Sequence, residues 1–241
     1  MNQPPADEFA PVRAPRQARP FPAGCPADRF PDLAALRQRL DELRIHHLVV
    51  AGKTITANQG TVYNPDLIVM AMLQRSYGIV DALVDAVDTY NMHAAAPLLR
   101  LQLDTLVRAH YVANCPDADD LTSRLLRGEQ FRKIKDAEGK NLTDARLQEL
   151  AAGVHTWVGP VYRETSGWVH FSVSHMAATT QVGEVNDFFM GVPLRPTVLP
   201  ESLWREVYGA AIRATEELFD YARGWASRKG LAPGETRELD W

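Results

Sequence analysis

NPDLIVMAMLQRSYGIVDALVDAVDTYN, residues 64 to 91, is the stretch of this chain whose structure is easiest to predict. Asn64, Pro65 and Asp66 form a strong helix start, because asparagine is a favoured N-cap and proline suits the first helical turn. Apolar side chains then recur every three or four residues, which predicts one helix to about Asn91 with a buried stripe of Leu67, Met70, Ala71, Leu73, Tyr77, Val80, Val84 and Val87. A long amphipathic helix of this kind is typical of a helical bundle.

Further helices are predicted on both sides of this stretch. Leucines at helical spacing predict one helix over residues 31 to 44, and residues 45 to 63 allow a second short helix that frays around Gly60. The next helix is predicted over residues 94 to 114, with an apolar stripe of Leu99, Leu103, Leu106 and Val107. Two more helices are predicted over residues 117 to 136 and from a Thr143 cap to Gly153. A last helix is predicted between Pro200 and Gly230, and the residues expected to face the core are Leu203, Val207, Ala210, Ala214, Leu218, Tyr221 and Trp225.

The fold class that this pattern predicts is all-α. Five to seven helices with short connections are expected to pack as an antiparallel bundle. Residues 179 to 199 lose helical periodicity and contain several glycines and prolines. We therefore expect a small irregular or hairpin insertion there, centred on Val182, Val185 and Phe188.

The ends of the chain differ in composition from the bundle, which is expected to span residues 31–228. Seven of the 16 prolines lie in residues 1–30, and because proline lacks a backbone donor, this Pro/Arg-rich arm is expected to be disordered. Residues 229–241 are expected to form a C-terminal tail. A solvated arm without a partner is the simpler expectation, and the alternative is a protein partner whose acidic surface contacts Arg13, Arg16 and Arg19.

Length and composition narrow the class of protein. A chain of 241 residues, 46% of them hydrophobic, fits one globular domain that needs no disulfide or metal to hold its core. The net charge of -4 argues against a general DNA-coating protein, although it is compatible with a local basic patch. Cys25 and Cys115 have no CxxC or Cys/His ligand spacing, so we expect no metal and no cofactor.

The same features bear on location. Unpaired cysteines fit a reducing cytoplasmic compartment. The N-terminus lacks the apolar region of a secretory signal, and no apolar run approaches the ~20 residues that a membrane span needs, so no membrane association is expected.

The segment Tyr162 to His175, YRETSGWVHFSVSH, contains the residues best suited to chemistry. If the segment is helical throughout, Arg163, Ser166, His170 and Ser174 project from one face. An arginine can bind a phosphate and an imidazole can move a proton near neutral pH, so the combination suits chemistry on a phosphate ester. The competing interpretation is a histidine that only satisfies structural hydrogen bonds.

A second polar feature lies on the predicted helix of residues 94 to 114. Arg100, Asp104 and Arg108 are spaced four apart and form a charged ladder. In a functional interpretation Arg100 and Asp104 face the same cleft as His170, and Asp104 orients an imidazole or an arginine. The alternative is an ordinary structural ion pair.

The spacing Arg163-x6-His170 resembles the Arg-x(4 to 6)-His motif of the HEPN superfamily, small all-helical bundles that include RNA-cleaving toxins and defence effectors. The chain is also similar to a group of uncharacterised bacterial helical proteins. In those proteins an Arg-rich helix, here residues 98 to 111, precedes a Tyr-x-x-x-Ser-x-x-x-His stretch, here Tyr162, Ser166 and His170. The resemblance covers residues 65 to 225 in architecture and a handful of positions in sequence.

The resemblance implies metal-independent cleavage of single-stranded RNA by a homodimer of a bacterial toxin–antitoxin or phage-defence system. The ribose 2′-hydroxyl attacks the adjacent phosphorus and leaves a cyclic phosphate. His170 then acts as general acid or base and Arg163 holds the phosphate. Glu164 departs from the small polar residue often found after the arginine, and its carboxylate would repel RNA unless an arginine pairs with it. Secondary candidates for substrate binding are Arg100, Asp104, Tyr162 and Ser166.

An alternative function belongs to a different class. In it the chain is a non-catalytic helical interaction protein, or a binder of small anions, whose Arg/His cluster is structural. Exposure of the histidine distinguishes the two. A catalytic His170 must reach solvent in a cleft beside Arg163, whereas a structural one is buried with fixed partners.

Overall fold

The computed structural model describes residues 18–170, 172–182, 188–195, 197, 199–232 and 234–241. The all-α prediction is confirmed, because helices dominate the part of the chain that is described. The helices are α1 (Pro26–Arg29), α2 (Pro31–Thr56), α3 (Asn64–Asp88), α4 (Met92–Asn114), α5 (Ala118–Leu126), α6 (Asp144–Ala151), α7 (Val158–Val169), α8 (Val173–Ala177) and α9 (Glu201–Arg228).

The predicted insertion forms a hairpin. Strand β1 (Thr180–Val182) pairs antiparallel with β2 (Phe188–Met190), with Thr180 opposite Met190. Val185, which was predicted to lie in this hairpin, is outside the described residues. The insertion lies between α8 and α9, at one side of the bundle.

Helix α4 is the centre of the bundle, since it packs against α3, α9, α7 and α6. Its predicted apolar stripe is buried at all four positions, Leu99, Leu103, Leu106 and Val107. Helix α2 completes the bundle by packing on α9 and α3. Only three residues separate α3 from α4, so these two helices run back along one another.

The predicted stripe of α3 is wrong in its first two turns. Leu67 and Ala71 are exposed, and Ile68 is buried instead. Asp66 sets this rotation, because its buried carboxylate accepts hydrogen bonds from the backbone N–H of Tyr63 and from the indole N–H of Trp225, each at 2.7 Å. From the third turn onwards the predicted apolar positions face the core.

Two predicted helix boundaries are also wrong. The region of residues 31 to 63 contains one long helix, α2, which ends at Thr56 and is followed by a 3₁₀ turn at Asn58–Gly60. The helix predicted over residues 117 to 136 stops at Leu126. Gly128 adopts a φ of +87° there, a left-handed conformation that ends a helix, and residues 131 to 133 form a separate 3₁₀ turn.

The N-terminal arm is described only from residue 18 onwards, so Arg13 and Arg16 lie outside the described residues. Residues 18–30 pack on the bundle, with Cys25 buried and α1 against α2, in place of the predicted disorder. The backbone N–H of Arg19 donates to Asp41 over 2.5 Å, and its guanidinium donates to Asp85 over 2.8 Å. This arginine thus contacts an acidic surface of its own chain.

The C-terminal segment also returns to the bundle. The Lys229 ammonium is fully buried, 3.0 Å from the Asp66 carboxylate. The Arg237 guanidinium donates to the carbonyl of Lys229 over 2.6 Å and to the side chain of Asn58 over 3.0 Å. These contacts fasten residues 229–241 to the end of α2 and the start of α3.

Helix α3 has the length and apolar composition that a membrane span needs, with a mean hydropathy of 1.5 over its best window. The expectation that no apolar stretch approaches the length of a membrane span is therefore wrong as far as helix length and mean hydropathy are concerned. The core helix of a bundle meets the same criteria, and α3 packs against α2, α4 and α5.

Candidate functional site

The predicted site residues fall into two groups. Arg100 and Asp104 on α4 meet Tyr162 and Ser166 on α7, where the two helices pack. The Arg100 guanidinium donates to Ser166 Oγ over 2.5 Å and lies over the Tyr162 ring. The Tyr162 hydroxyl donates to Asp104 Oδ1 over 3.2 Å. The spacing of four residues on each helix brings these side chains face to face. Among the described residues the ion pair of Asp104 is with Arg108 and not with Arg100, and the cluster does not include His170, which the functional interpretation placed in the same cleft.

This cluster extends outward through a second arginine. Arg108 lies 3.3 Å from the Asp104 carboxylate and 2.6 Å from that of Asp144, so it links α4 to the first turn of α6. Arg75 of α3 lies nearby. Burial lowers the pKa of its guanidinium, and the positive charge of Arg108 is the next largest cause of that lowering. Three arginines thus surround two carboxylates, and the cluster has a positive surplus.

Tyr162 is held in its neutral form. Burial, followed by the negative charge of Asp104, raises the pKa of its hydroxyl to about 12. A neutral phenol donates a hydrogen bond and does not act as a base near pH 7. In this cluster Tyr162 therefore serves as a donor that fixes Asp104.

Arg163 on α7 and His170 at its C-cap form the second group, which faces solvent beside the first group. Both side chains are exposed, and α7 ends at Val169, so His170 itself lies just outside the helix. Neither side chain makes a hydrogen bond or ion pair to another described residue. His170 thus reaches solvent, which is one part of the condition set for a catalytic histidine; the other part is a cleft beside Arg163.

The two side chains do not meet within one chain. They are seven positions apart in the chain, a separation of about 10 Å along a continuous helix, and the helix ends one residue before His170. The Arg163 guanidinium lies back over Gly159, where Nη1 would be 3.7 Å from an added β-carbon, and this direction is away from His170. Glu164 points to the other side of α7, into a groove between α7 and α9.

Ser174 does not share a helix face with Arg163, because Tyr162 to His175 is not one helix. His170 has an extended backbone, with a ψ of 146°, and the chain restarts as α8. Ser172 causes the restart: its hydroxyl donates to the carbonyl of Gly167 over 2.6 Å and accepts from the N–H of Ser174 over 3.3 Å.

One buried chain of polar side chains was not predicted. His155 Nδ1 lies 2.6 Å from the Glu217 carboxylate, and His155 Nε2 lies 2.6 Å from the Tyr221 hydroxyl. That hydroxyl also lies 2.8 Å from His110 Nδ1. His110 is thus the third member of this polar chain, and burial, followed by the neighbouring His155, lowers its pKa.

Sequence spacing gives little sign of this polar chain. Glu217 and Tyr221 are one turn apart on α9, and this spacing alone places them side by side. His155 comes from the loop between α6 and α7, and His110 comes from α4. Only tertiary packing brings the two histidines to the same hydroxyl.

No metal site is formed by the part of the chain that is described, where no three His, Cys, Asp or Glu side chains are grouped as ligands. Both cysteines are unpaired, and burial raises the pKa of each thiol. Comparison of this chain with models of protein families, with curated proteins and with solved structures finds no match.

Proposed function

We propose that this protein binds single-stranded RNA and cleaves it, without a metal, as a homodimer. One observation carries the proposal: Arg163 on α7 and His170 at the C-cap of α7 are both exposed, and neither is engaged by another side chain of the described structure. An exposed arginine and histidine with no structural partner are available to an external phosphate.

The proposed roles follow from the chemistry of the two side chains. His170 removes the proton from the ribose 2′-hydroxyl and, now protonated, delivers that proton to the departing 5′-oxygen. Arg163 binds the phosphate oxygens and stabilises the charge that builds on them as the 2′-oxygen attacks. The products are a 2′,3′-cyclic phosphate and a 5′-hydroxyl.

The homodimer follows from the direction of Arg163. Because its guanidinium turns away from His170, one chain does not place both groups on one phosphate. A second copy packed against the exposed face of α7 supplies the missing partner, with Arg163 of one chain beside His170 of the other. Such an RNA-cleaving dimer is suited to a bacterial toxin–antitoxin or phage-defence system.

The positive cluster on the adjoining side of α7 extends the proposed RNA surface. Arg75, Arg100 and Arg108 lie along α3 and α4 and outnumber the two carboxylates between them. Phosphates on either side of the cleaved bond would contact this cluster. Its contribution is nonspecific, so affinity should fall steeply with salt.

A second candidate function is a non-catalytic protein that binds a small anion or another protein. The observation that favours it is the contact of Arg100 with Ser166 and Tyr162, which ties α4 to α7 and explains these residues without any substrate. In this case the exposed Arg163 and His170 would be incidental surface residues.

The test is cleavage of a single-stranded RNA by purified protein in EDTA. Wild type is compared with Arg163→Ala and His170→Ala, and with Arg127→Ala as a matched control at another exposed arginine. The proposal expects cleavage by wild type and the control, and at least a hundredfold loss in the other two variants with unchanged circular dichroism. Inert wild-type protein that still binds RNA or a small anion would favour the second candidate.

A further inference from the structure

A groove separates α7 from α9 on the side of α7 away from Arg100. Its volume is about 570 Å³, within the range of small-molecule sites. Helix α4 forms its floor with Met92, Ala96 and Leu99. The walls are apolar side chains of the two flanking helices, chiefly Val161, Leu203, Val207 and Ala210.

Two tryptophans contribute to the lining and have fixed positions. The indole N–H of Trp157 donates to the Glu217 carboxylate over 3.1 Å. Trp168 contacts the His93 ring edge-on and the His175 ring at a tilt, each at a centroid distance of 5.5 Å. Rigid aromatic walls of this kind cost little entropy when a ligand binds.

The charge at the rim of the groove is negative. Glu164 on α7 and Glu206 on α9 are exposed at the rim, and neither forms an ion pair with a described residue. Arg213 is the basic residue of the lining, and it is already occupied: its Nε donates to Glu217 over 2.7 Å and its guanidinium lies over the Trp157 ring. The rim therefore carries two carboxylates without a counter-charge.

We infer that the groove binds a small amphiphilic cation, an apolar chain or ring system bearing an amine or quaternary ammonium group. The apolar part fills the space between α7 and α9, where removal of its methylene groups from water stabilises the complex. The ammonium group lies at the rim beside the carboxylates of Glu164 and Glu206. This inference does not depend on the proposed action on RNA.

Volume and charge together favour this occupant over others. The two carboxylates at the rim would repel an anion, and a neutral hydrocarbon would form no ion pair with them. A second copy of the chain would have to bring a cationic side chain to the same rim.

The probe for the test is octyltrimethylammonium, compared with octanoate and with 1-octanol by isothermal titration calorimetry. We expect the cation to bind at least tenfold more tightly than octanoate, with octanol between them. The double substitution Glu164→Gln and Glu206→Gln should weaken binding of the cation about tenfold and leave that of octanol unchanged. Glu238→Gln, at an exposed carboxylate outside the groove, is the matched control.

Gly209 provides a steric test. It lines the groove on α9, and no atom lies within 4 Å of the position of an added β-carbon, so Gly209→Phe should fill the groove and leave the core intact. The variant should lose binding of both octyl probes and keep its circular dichroism. If it does not fold, the two glutamine substitutions at exposed positions still decide the question.

Three results would overturn the inference. The first is equal affinity for the cation and for octanoate. The second is binding of the cation that survives Gly209→Phe in folded protein. The third is absence of cation binding together with a dimer that Gly209→Phe dissociates, which would assign the groove to a second copy of the chain.

Discussion

His47 shows how a single side chain can tie stability to pH. It is 1% exposed, and its Nδ1 and Nε2 lie 2.8 Å from the Leu43 carbonyl and from the Ser76 hydroxyl. Gln102 continues the network by donating to Ser76 and to Thr215. Burial, the largest cause, lowers the pKa of His47 from 6.5 to about 4. The imidazole is therefore neutral in the folded protein near pH 7.

This shift predicts a loss of stability in acid. The unfolded chain binds a proton at His47 below about pH 6.5, whereas the folded chain resists it until about pH 4, so stability is complete above pH 6.5 and falls between these values. The expected contribution is about 3 kcal/mol. Urea denaturation at pH 7.5 and pH 4.5 should show a smaller loss for His47→Gln than for wild type. An unchanged loss would exclude His47 as its source, and His170→Ala serves as the exposed control.

For single residues, the sequence showed which side chains could form a polar cluster, but it did not show where each side chain points. Arg100, Asp104, Tyr162 and Ser166 could be grouped in advance because each pair is one helical turn apart. The orientation of Arg163 toward Gly159 could not be predicted, because sequence spacing gives the helix face of a residue and not the rotamer of its side chain. The burial of His47 likewise depends on how α2, α3 and α4 meet.

At the scale of elements, the long helices were predictable and their ends were not. Helix α4 carries its apolar residues at regular spacing, and packing on both sides buries that stripe as expected. The break after α7 depends instead on one hydroxyl, that of Ser172, which replaces the helical hydrogen bonds of neighbouring residues. A hydrogen bond from a serine side chain to the backbone competes with the helical hydrogen bonds at nearly equal energy. The spacing of apolar residues therefore does not show where such a cap ends or restarts a helix.

The break after α7 gives the second prediction. Ser172→Ala removes the cap of α8 and its tie to Gly167, and it should destabilise this segment by about 1 kcal/mol. Hydrogen exchange of the amides of residues 173 to 178 should become faster by about fivefold. Ser202→Ala, at an exposed serine in the first turn of α9, should leave these rates unchanged. Equal rates in wild type and Ser172→Ala would mean that the hydroxyl does not define the break.

The junction between α9 and the C-terminal segment gives the third prediction. Gly230 has a φ of +71°, and a β-carbon there would lie 2.3 Å from the Tyr63 hydroxyl oxygen and 2.4 Å from Asn58 Nδ2. Gly230→Ala should therefore cost more stability than Gly128→Ala, which has a similar backbone conformation and open space around it.

Thermal denaturation of the two glycine variants measures the difference. Strain from the positive φ alone should cost about 1 kcal/mol in each variant, and the steric conflict should add about 1–3 kcal/mol at Gly230. Equal losses in the two variants would show that residues 229–241 do not pack closely on Tyr63 and Asn58.

At the scale of the whole molecule, the predicted bundle is confirmed because the helical pattern is strong and connections are short. Both ends of the chain differ from the expectation of free tails in the described residues. Arg19 and Lys229 explain this, since each is a charged residue that finds carboxylates on distant helices, Asp41 and Asp66. Such long-range pairs leave no local signal in sequence.

Charge at this scale also separates two surfaces of α7. Arg163 and His170, with the arginines of α3 and α4 at its side, form the proposed RNA surface. Glu164 and Glu206 on the other side form the rim of the proposed cation groove. The carboxylate of Glu164 is thus turned away from the phosphate site, which removes the repulsion that its position after Arg163 suggests.

The central claim is that Arg163 of one chain acts with His170 of another, and mixing two inactive variants tests it most directly. Arg163→Ala and His170→Ala protein are each assayed alone on single-stranded RNA in EDTA, then mixed in equal amounts and allowed to exchange subunits. About half of the dimers then contain one chain of each variant, and each of these mixed dimers has one intact Arg163–His170 pair out of two. The mixture should therefore recover about a quarter of wild-type activity. A mixture as inactive as its components, in protein shown to exchange subunits, would contradict the account.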